Sequence, residues 1–271
     1  MTLTSDLDFI MLYDVPEGTT GSDGERELDV ATYFTRLTQR LVAAISAPTA
    51  EGVLYEADMR LRPSGNSGPL ATSLKRFRTY QADEAWTWEH LALTRARVAI
   101  SDPGLAEAVD DEIDRILALP RDRAKIVGDV LDMRALMAKE RPPRHPFDLK
   151  LHDGGLVDLE FIAQTAQLLE GAKLEVPQAP PAKVLLRLAE TAILPQGERL
   201  AEIHATYTAI LQLMSACLVD PLKDEGWTPA FRELVARRAN YPDFSRLEAD
   251  IGAMRAEVSE AAVEFYERMR G

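Results

Sequence analysis

The stretch Tyr55-Glu56-Ala57-Asp58-Met59-Arg60-Leu61-Arg62-Pro63-Ser64-Gly65 decides how this chain is read. From residue 53 to 61 the apolar side chains Val53, Tyr55, Ala57, Met59 and Leu61 alternate with charged ones, and Glu56, Asp58, Arg60 and Arg62 form the other set. A period of two sends the apolar set to one face of a strand and the charges to the opposite face. Four successive outward charges are unusual where Thr is the commoner occupant. The row therefore reads either as a solvated face or as part of a site. Pro63-Ser64-Gly65-Asn66-Ser67-Gly68-Pro69 closes it as a tight loop, because Gly permits positive φ and Pro fixes its own.

Upstream, Leu7-Asp8-Phe9-Ile10-Met11-Leu12-Tyr13 reads as a short buried strand between polar flanks. Asp6 and Asp8 stand two apart at its mouth, so their side chains leave one face and can converge on a cation. Asp58 lies on a strand that could pair with this one. Three carboxylates on neighbouring strands are what two divalent ions need to straddle a phosphoryl group. Arg60 and Arg62, on the face of Asp58, would then grip the phosphates. Between the two strands a polar loop over 16–23 precedes a helix expected over 25–46, with Ala31, Phe34, Leu37, Leu41 and Ile45 as its apolar stripe.

Beyond residue 69 the periodicity is helical. It predicts helices over 70–81, 84–100, 104–119, 121–140, 156–170, 182–192, 197–218, 229–239 and 244–270, separated in places by prolines such as Pro142, Pro143, Pro180 and Pro181. The expected fold class is α+β and predominantly helical, with a small mixed region over 1–100 and an all-α bundle over 101–271.

Composition bounds the function. The 271 residues allow one large domain or two ordinary ones, and 46% hydrophobic residues give each a core. Forty-four acidic against thirty-one basic side chains leave a net charge of −13, which repels nucleic acid and anionic membranes. A local basic cluster with divalent cations still suits a small phosphate ligand. The single cysteine, Cys217, excludes an intrachain disulfide or a multi-cysteine zinc site, and its apolar surroundings predict burial. No basic leader and no run of ~18 apolar residues marks the chain for export or membrane insertion, so a cytoplasmic protein is expected.

Several motifs follow one another in order: Ser5-Asp6-Leu7-Asp8, the stretch 55–65, Ala85-Trp86-Thr87-Trp88-Glu89-His90, Leu93-Thr94-Arg95-Ala96-Arg97, Phe147-Asp148-Leu149-Lys150, and Gly154-Gly155-Leu156-Val157-Asp158-Leu159-Glu160-Phe161. Together they resemble the glutamine synthetase adenylyltransferase family, as far as residue 161. The resemblance implies a polymerase-β-like nucleotidyltransferase domain, truncated at its start, followed by a helical bundle. The Ala-Trp-Thr-Trp-Glu-His and Arg-Pro-Ser-Gly forms resemble the C-terminal half of the family's bifunctional enzymes. That half transfers AMP from ATP to a tyrosine hydroxyl of glutamine synthetase, while the other half removes AMP by phosphorolysis.

Carried over by that resemblance, Asp6, Asp8 and Asp58 are catalytic and bind two magnesium ions, and Arg60, Arg62, Ser64 and Gly65 bind the nucleotide. Glutamine synthetase and a PII-type signalling protein are the implied partners. One family feature is not matched. A phosphate-cradling Gly-Ser turn precedes the carboxylate pair by about ten residues in the family, whereas here only Met1-Thr2-Leu3-Thr4 precede Ser5. Gly21-Ser22 lies past the far end of the strand. Two rival readings therefore stand beside the first: a non-catalytic module that docks glutamine synthetase or a regulator, and the phosphorolytic half.

Three smaller features carry expectations. Trp86, His90, Leu93 and Arg97 share a helical stripe, read as tryptophans locking a helix on the sheet, with a nucleotide or partner groove as the alternative. Arg95 or Arg97 would answer buried carboxylates. Gly154-Gly155 reads as a close-packing turn, with Asp158 and Glu160 favoured by the dipole of the helix that follows.

Overall fold

The computed structural model describes residues 6–50, 52, 55–223 and 226–271. Ser5 of the first motif and Val53 of the expected strand lie outside them. Helix takes 60% of the chain, in ten α-helices among the described residues, beside two small parallel sheets. No described helix is long and apolar enough to cross a membrane. The described residues fall into two compact units, 6–90 with 97–116 and 91–96 with 117–271.

In the first unit β1 (Leu7–Asp8) pairs in parallel with β3 (Ala57–Asp58), and β2 (Met11–Tyr13) pairs in parallel with β4 (Ala71–Ser73). The single strand expected over 7–13 is thus divided between two partners. The long alternating strand contracts to Ala57–Asp58, because the chain turns there: the Arg60 amide donates to Asp58 Oδ1 at 2.8 Å and the Arg62 amide to the Met59 carbonyl at 3.2 Å. Strand β4 replaces the beginning of the helix expected from residue 70. Ser73 then caps α2 (Leu74–Asp83), its hydroxyl accepting from the Arg76 amide at 3.2 Å.

Helix α1 (Val30–Ile45) starts at the Asp29 cap, five residues later than expected, since nothing in the polar run before it supplies an apolar face. Phe34 stacks on Tyr13 with ring centroids 4.2 Å apart, and Thr38 is fully buried. The expected stripe is only partly used: Leu37 is 44% exposed, and Tyr33 and Leu41 are also exposed. Phe77, Tyr80, Val109, Ile113 and Ile116 form much of this unit's core, drawn from α2 and α4 (Pro103–Leu117). Buried Glu112 between them takes Arg78 at 3.2 Å and also pairs with Arg115.

Helix α3 (Thr87–Leu93) is far shorter than the span 84–100. Beyond its last turn the Thr94 hydroxyl donates to the Leu91 carbonyl at 2.7 Å, a side-chain bond that competes with helix continuation. The tryptophans do not lock it: Trp86 is 69% and Trp88 41% exposed, while buried Glu89 and His90 face inward. Arg95 pairs with Glu160 at 3.2 Å near the surface, and Arg97 is exposed.

The second unit packs α5 (Arg123–Glu140), α6 (Leu156–Leu174), α7 (Pro181–Glu190), α8 (Gly197–Cys217), α9 (Pro229–Arg238) and α10 (Phe244–Arg270), all close to their expected spans. Leu159, Ile162 and Ala166 of α6 meet Leu185 and Leu188 of α7, Tyr207 of α8 and Phe265 of α10 in one core. Cys217 is exposed rather than buried, because the buried series Leu200, Ile203, Tyr207, Ile210, Met214 ends one turn before it as the helix stops. At the start of α6, Gly154 adopts φ +72, and a Cβ there would stand 1.9 Å from the Arg255 carbonyl oxygen. The glycine pair is therefore a close-packing turn, as expected. Asp158 accepts from the Gly154 amide at 2.7 Å and from Arg134, whose Nη2 stands 3.1 Å from Oδ2.

Replacing Gly154→Ala forces both the backbone and the Arg255 carbonyl to move, and is expected to lower stability in urea unfolding by about 2–4 kcal/mol. A double-mutant cycle of Arg134→Met and Asp158→Asn, measured the same way, is expected to give a coupling of about 1–3 kcal/mol, since both groups are largely covered.

Candidate functional site

Parallel pairing of β1 with β3 sets Asp8 opposite Asp58, with Leu7 opposite Ala57. Adjacent residues in register project to the same face, so the two carboxylates stand side by side. Asp6, one residue before β1, lines a cleft of about 650 Å³ together with Asp58, Arg60, Arg62 and Asn66, and with Gln39, Val42 and Ala43 of α1. The cleft is built within the first unit.

Asp58 is the hinge of this arrangement. Its Oδ1 takes the Arg60 amide, and its Oδ2 takes Arg60 Nε at 2.7 Å and also Nη2. The Arg60 hydrogen bond holds the Asp58 carboxyl below the usual carboxylate range, against the opposing effect of partial burial. Arg60 is raised in turn, first by that bond and then by the negative charges of Asp58, Asp6 and Asp8. All three sequence-predicted carboxylates therefore act on one guanidinium.

Arg62 leaves the expected row. It is buried, with Nη1 donating to the Met59 carbonyl at 2.8 Å and Nε to the Gly68 carbonyl at 3.4 Å. The alternation that would have set it beside Arg60 ends with the strand at Asp58. The loop folds around this guanidinium: Gly65 N–H donates to Arg62 O at 2.8 Å and Gly68 N–H to Gly65 O at 3.2 Å. Ser64 and Gly65 both take positive φ, +64 and +53, and a Cβ at Gly68 would come 2.1 Å from the Pro63 carbonyl oxygen. Ser64 and Gly65 shape the turn, whereas Arg62 and Asn66 are its contributions to the cleft wall.

Among the described residues, no group of three or more His, Cys, Asp or Glu side chains stands in an arrangement that could hold a metal. Asp6, Asp8 and Asp58 offer only hard oxygen donors, the type magnesium takes, and Arg60 supplies the positive charge beside them. Sequence reasoning missed Gln39 and Asn66 as cleft residues, and the buried pair in which the Tyr80 hydroxyl donates to Glu89 Oε2 at 3.2 Å. Glu89 sits inside the Trp-Thr-Trp-Glu-His motif, so its motif membership was a usable signal. Tyr80 gave none.

Residues 1–112 match the family described as glutamate-ammonia ligase adenylyltransferase. The bifunctional glutamine synthetase adenylyltransferase/adenylyl-removing enzyme of Brucella suis biovar 1 (strain 1330) is 47% identical over 255 residues, 93% of this chain and 26% of that protein. Its counterpart in Mesorhizobium japonicum is 46% identical over 253 residues, with the same coverage. That of Agrobacterium fabrum is 44% identical over 267 residues, 97% of this chain and 27% of its own length. The chain thus spans 26 to 27% of the length of these curated relatives. With the family pattern covering the paired carboxylates and the loop, and the similarity running on through the helical unit, the chain belongs to the glutamate-ammonia ligase adenylyltransferase family.

Proposed function

We propose that this chain belongs to the adenylylating half of such a bifunctional enzyme and transfers AMP from ATP to a tyrosine hydroxyl of glutamine synthetase. The observation that carries the reading is the side-by-side placement of Asp8 and Asp58, the latter in the wall of a cleft that Asp6, Arg60 and Arg62 also line. In this reading residues 1–100 are part of a polymerase-β-like catalytic domain and residues 101–271 are its helical bundle. The protein works in the cytoplasm, where glutamine synthetase and a PII-type signalling protein would be its partners.

The chemistry is an in-line displacement. The phenolic oxygen forms a bond to the α-phosphorus, the bond from that phosphorus to the bridging oxygen breaks, and pyrophosphate leaves. Asp8 and Asp58, side by side, with Asp6 of the same cleft wall as Asp58, would be the carboxylates that hold magnesium, although the three are not gathered as a metal set in this structure; when bound it would supply charge neutralisation at the reacting phosphates. In this reading Asp58 accepts the phenol proton. Arg60, whose side chain lies largely in solvent, would pair with phosphate oxygens, and Arg62 keeps the loop closed at the cleft wall. The Gly65 amide is committed to the Arg62 carbonyl, so Ser64 and Gly65 would serve the nucleotide by shaping that loop.

A second reading rests on a different observation. Exposed Trp86 and Trp88 offer the kind of aromatic surface that anchors protein partners, which suits a module that docks glutamine synthetase or a regulator without catalysing transfer. Calorimetry separates the two. Binding of ATP that needs magnesium and weakens at least about tenfold in Asp6→Asn/Asp8→Asn is the expected result. Equal binding by the double variant overturns the carboxylate assignment, and glutamine synthetase capture independent of ATP and magnesium favours the docking module. Mass spectrometry of glutamine synthetase after incubation with ATP is expected to show added AMP. Phosphate-dependent release of ADP from the adenylylated protein assigns the chain to the phosphorolytic half instead.

A further inference from the structure

The cleft beside the paired carboxylates holds two side-chain amides that the reaction as written does not use. Gln39 of α1 and Asn66 of the loop line it together with Asp6, Asp58, Arg60 and Arg62. Asp58 and Arg60 are bonded to each other, and Arg62 to backbone carbonyls. Gln39 and Asn66 are exposed, and neither amide has a hydrogen-bond partner among the described residues. Glu56 also lines the cleft, two residues before Asp58, and as a carboxylate it can only accept. An amide carries a donor and an acceptor side by side, which is a different kind of recognition from a charge.

The two amides differ in their surroundings. Gln39, Val42 and Ala43 stand at i, i+3 and i+4 of α1, so one helix face brings an amide and two apolar side chains to the cleft together. That helix is pinned on an adjoining face, where buried Thr38 donates its hydroxyl to the Phe34 carbonyl at 2.8 Å and Phe34 stacks on Tyr13. Asn66 sits instead between Gly65 and Ser67 in the turn closed around Arg62, with no such apolar face beside it. Once the charged groups are given to magnesium and phosphates, the α1 face is what remains for a purine. The flat faces of a base bury against apolar side chains, and its edge asks for a paired donor and acceptor.

We propose that Gln39 is the specificity-determining residue that reads the adenine edge of the nucleotide, with Val42 and Ala43 supplying apolar surface to the base. The inference rests on the nucleotide-binding reading above and adds to it how the base is chosen. The Gln39 amide oxygen accepts from the adenine 6-amino group while its NH2 donates to N7, a bidentate pairing. Guanine offers only acceptors there, O6 and N7, so the amide oxygen faces a lone pair and one bond is lost. Gln39→Met keeps the length of the side chain and its helix propensity and removes both polar atoms.

Calorimetry on the full chain with four magnesium-loaded probes tests it: ATP, GTP, 7-deaza-ATP, which lacks the N7 acceptor, and tripolyphosphate, which lacks base and sugar. The unaltered chain is expected to bind ATP at least about tenfold more tightly than GTP or 7-deaza-ATP. Gln39→Met is expected to bring all three nucleotides within about threefold of one another and to leave tripolyphosphate within about twofold of its original affinity. Asn66→Ala is expected to keep the preference for ATP over GTP. A preference that survives Gln39→Met, or one that Asn66→Ala abolishes in its place, overturns the assignment. So does a loss in Gln39→Met that falls equally on tripolyphosphate, because the effect then lies away from the base. If the unaltered chain binds tripolyphosphate and treats ATP and GTP alike, the phosphate site stands and only the reading of the base fails. If it binds none of the four probes, the nucleotide reading itself fails and this inference falls with it.

Discussion

Asp58 accepting the amide and guanidinium of Arg60 is the interaction on which the site depends. It ends strand β3 immediately after the residue that faces Asp8, and so begins the loop that walls the cleft. The same bond places a permanent cation among Asp6, Asp8 and Asp58, whose mutual repulsion would otherwise spread them. One carboxylate thus sets both the backbone path and the electrostatic balance. Because Arg60 is largely in solvent, the pairing is an exchangeable one.

The loop is stabilised differently, from inside. Arg62 is buried with backbone carbonyls as partners, and three turn bonds close around it. Two adjacent positive-φ residues and a glycine packed on a carbonyl leave little freedom for substitution. Such local strain is tolerated when surrounding structure over-determines it, and here the turn bonds and the buried Arg62 guanidinium do so. The helical unit repeats the principle at a structural turn, where Gly154 packs against Arg255 and Asp158 joins that turn to Arg134.

Much of the helical unit was legible because its signals are local. Apolar residues at three- and four-residue spacing, with Pro, Asp or Thr at the starts of α5, α7, α9 and α10, specified α5 to α10 to within a few residues of their ends. The sheet region was less legible because its outcome depends on pairing. A two-residue strand has too few positions to show a period, and β4 looked helical because only its pairing with Met11–Tyr13 distinguishes it. Exposure failed in the same way at Trp86, Leu37 and Cys217: periodicity identifies an apolar face, but only the arrangement of neighbouring elements decides whether anything covers it.

The sequence by itself determined the family, the dominance of helix, and the identity of the acidic and basic residues that gather at the cleft. Those properties follow from residue type and short-range spacing. Only the tertiary structure decided that Asp8 stands opposite Asp58, that Arg60 turns back onto the carboxylates, and that Arg62 is drawn into the loop. It also revealed the buried hydrogen bond from the Tyr80 hydroxyl to Glu89, nine residues apart and on different helices. Hydrogen bonds between distant segments leave no periodic trace in a sequence, because they require only that the fold bring the right atoms within about 3 Å.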